Sequence, residues 1–294
     1  MDIGNILVKE FQLKPFQVHN TIELIDQGNT IPFIARYRKE QTGNLQDTVL
    51  REFHQRLNYL RSLEERQLEV IRLIEEQGKL TEELKGDILS AVTLQRVEDL
   101  YRPYRPKRRT RATIAKEKGL EGLADTILLQ EVEIGELEKI AEKYIDFEKE
   151  VHTVEEALNG AMDIVAEIFS DNAEYRDTIR DIAYNKGIIT TEGTKEEKSV
   201  YEMYYDYKEP VKAIANHRIL AINRGEKEKF LKVSLYLPEE EIISKLESLI
   251  ITNSQSDSKI YLEKTIEDSY KRLIFPSIER EIRSSLTERA EEEA

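Results

Sequence analysis

Between Tyr101 and Lys118 the sequence YRPYRPKRRTRATIAKEK sets Arg102, Arg105, Lys107, Arg108, Arg109, Arg111, Lys116 and Lys118 against a single acid, Glu117. Tyr101 and Tyr104 sit among the basic residues. Guanidinium forks take phosphate oxygens two at a time, and tyrosine faces stack on unpaired bases. Those residue types at that density suit sequence-tolerant contact with RNA or single-stranded DNA. A second reading stays open. In a chain of net charge −14, the same cations can pair with acidic helices of their own protein, with Tyr and Pro packing at a domain joint.

Two smaller clusters have related chemistry. Ile34-Ala35-Arg36-Tyr37-Arg38-Lys39-Glu40 brings Arg36 and Arg38 to an aromatic side chain. They can reach phosphate, or form a helix end paired with Glu40 and other carboxylates, which is the reading favoured here. His217, Arg218, Arg224 and Lys227 flank an expected hairpin, where Arg218 and Arg224 can touch phosphate or simply make a polar tip. The run YEMYYDY (Tyr201, Tyr204, Tyr205, Tyr207) offers base stacking, but packing in a core suits it better, because aromatic rings supply large contact area.

Other chemistries find no support. Cysteine is absent, which removes disulfides and thiolate nucleophiles. His19, His54, His152 and His217 are scattered and stand in no metal-ligand spacing. No phosphate-cradling glycine loop, dinucleotide fingerprint or serine elbow occurs. The acids lie on amphipathic helices, so no pair stands out as general acid and base. The chain is expected to be non-enzymatic and to need no cofactor or metal. The N-terminus reads as no signal peptide, and no run approaches the ~18 apolar residues of a membrane span. A cytoplasmic location with no membrane partner follows. The global charge repels nucleic acid, so any such contact must be a local patch.

The elements that would position these residues are helical. Gly (12) and Pro (7) are scarce among 294 residues, and few turns with abundant Glu, Lys, Leu and Ile give a mainly α chain. Pro15 is expected to stop one helix, Phe16–Gln27 to form the next and Gly28 to close it. Leu50, Phe53, Leu57, Leu60, Leu63, Ile71 and Ile74 form one stripe of a long helix over 45–77, with Asp47 as N-cap. Thr81 caps a helix running to about Leu100. Pro103 and Pro106 favour an extended, exposed path through 100–119. Residues 154–169 and 172–186 read as a helical hairpin, capped at Asp171 or Asn172 and ended by Gly187. Arg218–Ile222 and Phe230–Leu237 lean to β, with Asn223-Arg224-Gly225-Glu226 as turn chemistry. One small β-hairpin is expected there, with helices at 239–252 and 262–292. The chain divides into an N-terminal helical unit (1–100), the basic loop (101–119), a helical unit (120–208), a hairpin segment (209–238) and C-terminal helices (239–294).

Four blocks resemble successive signatures of the Tex family of bacterial transcription accessory proteins. They are IPFIARYRKEQTG (31–43), DLYRPYRPKRRTRATIAKEKGLEGLAD (99–125), EPVKAIANHRILAINRGEKEK (209–229) and RLIFPSIEREIRSSLTERAEEEA (272–294). The family is similar in its core to a eukaryotic elongation factor that travels with RNA polymerase II. The resemblance implies a multi-unit helical scaffold with a helix-turn-helix-like N-terminal unit, and nucleic-acid binding in transcription for the whole protein. It also implies partners: RNA or single-stranded DNA, RNA polymerase or other transcription factors, and resolvase-like, helix-hairpin-helix and OB-fold modules beyond this segment. The chain is thus expected to be an N-terminal portion. The segment 16–27 holds no Arg or Lys and is unsuited to read a major groove, so the helix-turn-helix-like unit is expected to be structural.

Overall fold

The computed structural model describes residues 1–194 and 198–292. Residues 195–197 of the polar TTEGTKEEK stretch (190–198) and residues 293–294 lie outside the described residues. The chain is mainly helical and separates into two compact units, Met1–Tyr104 and Arg105–Ala294.

The N-terminal unit contains α1 (Ile3–Phe11), α2 (Pro15–Asp26), α3 (Ile31–Tyr37), α4 (Lys39–Thr42), α5 (Asp47–Glu76), α6 (Glu82–Ser90) and α7 (Leu94–Tyr101). Pro15 is the first residue of α2 rather than the end of α1; its missing N–H costs nothing in the first turn. The 30 residues of α5 span about 45 Å and carry the expected stripe, except that Val70 is buried where Ile71 is expected. Its first half packs Phe53, Leu57 and Leu60 with Leu7 and Val18, and Leu50 with Leu24 and Ile34. Gln46 holds the cap position of α5, without a side-chain cap, and Asp47 lies in the first turn. There its charge still favours the helix dipole.

The helix expected from Thr81 to Leu100 is two helices. Thr81 does cap α6, accepting from the Leu84 amide at 3.1 Å. Ala91 then turns to extended geometry, and Thr93 caps α7. The buried amide of Gln67, on α5, donates to the carbonyls of Ile88 (2.9 Å), Leu89 (3.2 Å) and Ala91 (2.9 Å). A helix end leaves carbonyls without internal partners, and one long-range side chain satisfies three acceptors at this break.

The C-terminal unit runs α8 (Arg111–Glu117), α9 (Glu121–Leu129), α10 (Leu137–Glu142), α11 (Val154–Asp171), α12 (Ala173–Lys186), β1 (Ile188–Gly193), β2 (Asp206–Pro210), α13 (Asn216–Lys227), β3 (Leu231–Tyr236), α14 (Glu239–Ile250), α15 (Ser258–Asp268), a π-helical turn (Ser269–Ile274) and α16 (Phe275–Glu292). The helical hairpin is α11–α12, with Asn172 accepting from the Tyr175 amide at 3.0 Å and Gly187 closing α12. One continuous core runs from α8 to α16.

The expected β-hairpin does not form. Residues 218–222 lie inside α13, and β3 pairs instead with β1, which also pairs with β2. The result is a three-stranded antiparallel sheet in the order β2-β1-β3. RILAI satisfies the helical period equally well: Ile219 and Ile222, three apart, are both buried. Gly225, the apparent turn glycine, lies inside α13, where the close approach of β3 leaves no room for a side chain. A Cβ there would stand 2.6 Å from Leu231 Cδ1. Each outer strand is blunted at one position. Pro210 ends β2 and cannot donate to another strand, and the Leu235 amide of β3 donates to the Glu279 carboxylate at 3.0 Å.

Candidate nucleic-acid interface

The basic segment is not one loop. Tyr101 ends α7, Arg102–Tyr104 form a 3-10 turn, residues 105–110 are irregular, and 111–117 are α8. Thr110 caps α8, accepting from the Thr113 amide at 3.1 Å. The exposed loop expected over 100–119 is confined to the stretch between the turn and α8, where Arg105, Lys107, Arg108 and Arg109 are exposed at residue level.

Within the C-terminal unit α11 decides which cations face inward. Asp163, Glu167 and Asp171 recur every four residues on this helix and so form one acidic stripe. Lys107 Nζ bonds the Asp171 carboxylate and lies 3.4 Å from Glu167, which leaves its side chain 25% exposed. At the other end of the stripe, Arg272 Nη2 lies 3.3 Å from Asp163. Burial pushes the Asp163 carboxyl above its ordinary value, and the positive charges of Arg272 and Arg111 work against that shift. Close approach of α8 to α11 makes this possible. Ala112 and Ala115 are buried, and a Cβ at Gly160 on α11 would stand 3.5 Å from Ala115 Cβ. Arg111 and Lys118 line a cavity of about 260 Å³ with Asp163, Glu150 and Glu156.

Arg108 and Arg109 are left facing water. Arg109 lies 3.5 Å from Glu117, with the two side chains 72% and 63% exposed. Such an exposed pair contributes little and is screened by salt, so it does not withhold Arg109 from a phosphate. Arg108 makes no ion pair with the described residues.

In the N-terminal unit Tyr101 is 5% exposed. Its ring lies under the Arg66 guanidinium at 5.4 Å, and Arg66 in turn bonds Glu98 at 2.5 Å. A ring so covered has no face to offer a base. Tyr104 is half-buried, and its carbonyl accepts from Gln77 at 2.9 Å. Arg102 is half-buried.

With this geometry in view, comparison with known proteins is decisive. Residues 135–294 match the Tex central region-like family, and residues 1–75 match the Tex-like protein N-terminal domain. The chain belongs to the Tex family. It is 50% identical over 292 residues to the uncharacterized protein YdcI of Bacillus subtilis, covering 98% of this chain and 40% of that protein. It is 41% identical over 302 residues to the transcriptional accessory protein Tex of Neisseria gonorrhoeae, covering 100% of this chain and 39% of that protein. A human S1 RNA-binding domain-containing protein 1 is 30% identical over 310 residues, with 31% of its length covered. The chain spans about two-fifths of the bacterial relatives.

In this Tex-family chain the other nominated arginines divide by unit. In the C-terminal unit Arg218 bonds Glu209 at 2.7 Å and the Tyr207 hydroxyl at 3.2 Å. Arg224 bonds Glu228 at 2.9 Å, one turn along α13. They flank no hairpin tip. Tyr201 and Tyr204 are buried, and Tyr204 meets Tyr207 edge-on at 5.2 Å, so the tyrosine run packs. In the N-terminal unit Arg36 and Arg38 make no ion pair with the described residues, Glu40 included, and the pairing favoured from sequence does not occur. Sequence reasoning missed the acidic stripe of α11, although D-x3-E-x3-D at 163–171 was there to be seen.

Among the described residues no helix is long and apolar enough to cross a membrane.

Proposed function

We propose that this chain is a non-enzymatic, cytoplasmic scaffold segment of a transcription accessory protein. In this reading Arg108 and Arg109 form a small cationic ridge against the backbone of single-stranded nucleic acid, RNA or DNA. The supporting observation is the division of labour along one segment: Lys107 is bound to the α11 stripe while its two neighbours face solvent. An arginine held close to the surface by its tethered neighbour meets phosphate with less chain to order. The family relatives, one named a transcriptional accessory protein and another an S1 RNA-binding domain protein, support the placement in transcription. Stronger binding and polymerase contact belong, on this reading, to other modules of the whole protein.

Two phosphate contacts on a single strand give a salt slope near −1.4 in log–log form, a loss of about sevenfold between 50 and 200 mM salt. Fluorescence anisotropy with a labelled single-stranded oligonucleotide tests this on the full chain. Arg108→Gln with Arg109→Gln is expected to reduce the slope by about 1.4. An unchanged slope refutes the ridge. Cleavage of the oligonucleotide by the purified chain in magnesium refutes the non-enzymatic reading.

The tethering of Lys107 also favours a second reading, a pure docking module whose basic segment is an internal clamp without nucleic-acid contact. Equal and negligible oligonucleotide binding by wild type and double variant is the outcome that selects it.

A further inference from the structure

The N-terminal unit carries a cationic surface of a different kind, at the end of α3. Phe33 and Tyr37 stand one helical turn apart, with ring centroids 5.2 Å apart and planes tilted by 46°. The Arg38 guanidinium lies 5.2 Å from the Phe33 centroid and also bonds the Tyr37 carbonyl at 3.4 Å. Arg36 is exposed. No carboxylate among the described residues lies within ion-pair distance of Arg36 or Arg38, although Asp and Glu outnumber Lys and Arg by 58 to 44 in the chain. Cations in the last turn suit the helix dipole, which accounts for their place but not for Tyr37, 60% exposed beside them.

We infer that Phe33, Arg36, Tyr37 and Arg38 form a single-strand site in which an unpaired base stacks on Tyr37 and its flanking phosphates meet the two arginines. The Phe33 ring supports Tyr37 from one side and is itself flanked by Arg38, so the platform is ordered before a ligand arrives. Base–aromatic stacking next to arginine is the recurring chemistry of single-strand recognition. An acidic peptide would use the arginines and leave the tyrosine face wet. A duplex would offer phosphates but no free base face. The inference stands on the N-terminal unit alone and does not require Arg108 or Arg109 to bind.

The test uses the full chain and a single-stranded oligonucleotide carrying 2-aminopurine, whose fluorescence falls on stacking. Wild type is expected to quench the probe and to bind it more tightly than the matching duplex. Tyr37→Ala is expected to abolish quenching and to weaken binding by about tenfold, within the range for one stacked base. Tyr37→Phe retains both. Arg36→Gln with Arg38→Gln lowers the salt slope by about 1.4. The Arg108→Gln, Arg109→Gln variant keeps the quenching, which separates this site from the ridge. Tyr37 is largely exposed, so unchanged far-ultraviolet dichroism is expected to exclude misfolding. Quenching by Tyr37→Ala equal to wild type overturns the site. So does binding without quenching that a polyglutamate peptide displaces as well as the oligonucleotide.

Discussion

Replacing Arg176 with alanine would break a buried polar network that joins α12 to α16 in the C-terminal unit. Arg176 is fully buried, on α12, and its guanidinium bonds the Glu281 carboxylate of α16, Ser277 Oγ at 2.8 Å and the Ser170 carbonyl at 3.4 Å. Breaking a buried pair by removing one partner costs about 3–5 kcal/mol, because a charge is left without compensation. Glu281 retains Arg180 at 2.9 Å, which argues for the lower half of that range. The stranded Ser170 carbonyl adds roughly 1 kcal/mol. Arg176→Ala should therefore destabilise the unit by about 4 kcal/mol, or about 8–16 °C in melting temperature for a domain of this size. Replacing both partners, Arg176→Met with Glu281→Leu, should recover most of the loss, because apolar pairs often substitute for buried ionic ones without penalty. Urea unfolding followed by far-ultraviolet dichroism measures all three proteins. A loss under about 1 kcal/mol for Arg176→Ala would show that water or a rearranged neighbour compensates Glu281, and the argument would fail. The loss would also reach the candidate interface, since Ser170 adjoins Asp171, which holds Lys107.

Two further outcomes follow from the same unit. Gly225→Ala gains helix propensity of about 1 kcal/mol but drives a methyl to 2.6 Å from Leu231 Cδ1 and 3.1 Å from Tyr201 Cδ1. Overpacking of that kind costs about 1–3 kcal/mol, so net destabilisation is expected in urea, and a stabilised variant would refute the close approach of β3. The Glu281 carboxyl is buried, which raises its pKa, but Arg176 and Arg180 outweigh burial and hold it below the ordinary 4.5. A depressed carboxylate favours the folded state above the unfolded value and loses that contribution as pH falls through the lower folded value. Stability should therefore fall on acidification below about pH 4.5, and Glu281→Gln should flatten that limb; an equally steep limb in the variant would contradict the assignment.

Local patterns determined much of this protein. The stripe on α5, the caps at Thr81 and Asn172 and the end at Gly187 depend on residues a few positions apart, so period and capping chemistry reveal them. The four signature blocks likewise placed the chain in its family. Tertiary structure alone decided the rest, because the deciding partners are far away in sequence. RILAINRG reads as strand and turn until β3 approaches Gly225 and β1 takes β3 as its partner. Gln67 ends α6 from more than 20 residues upstream. Composition locates the cations of 105–111, but Lys107 is drawn in by Glu167 and Asp171 on α11, more than 50 residues on, while Arg108 and Arg109 face water. Charge is a property of the sequence, whereas its availability to a phosphate depends on which carboxylates the fold brings within reach.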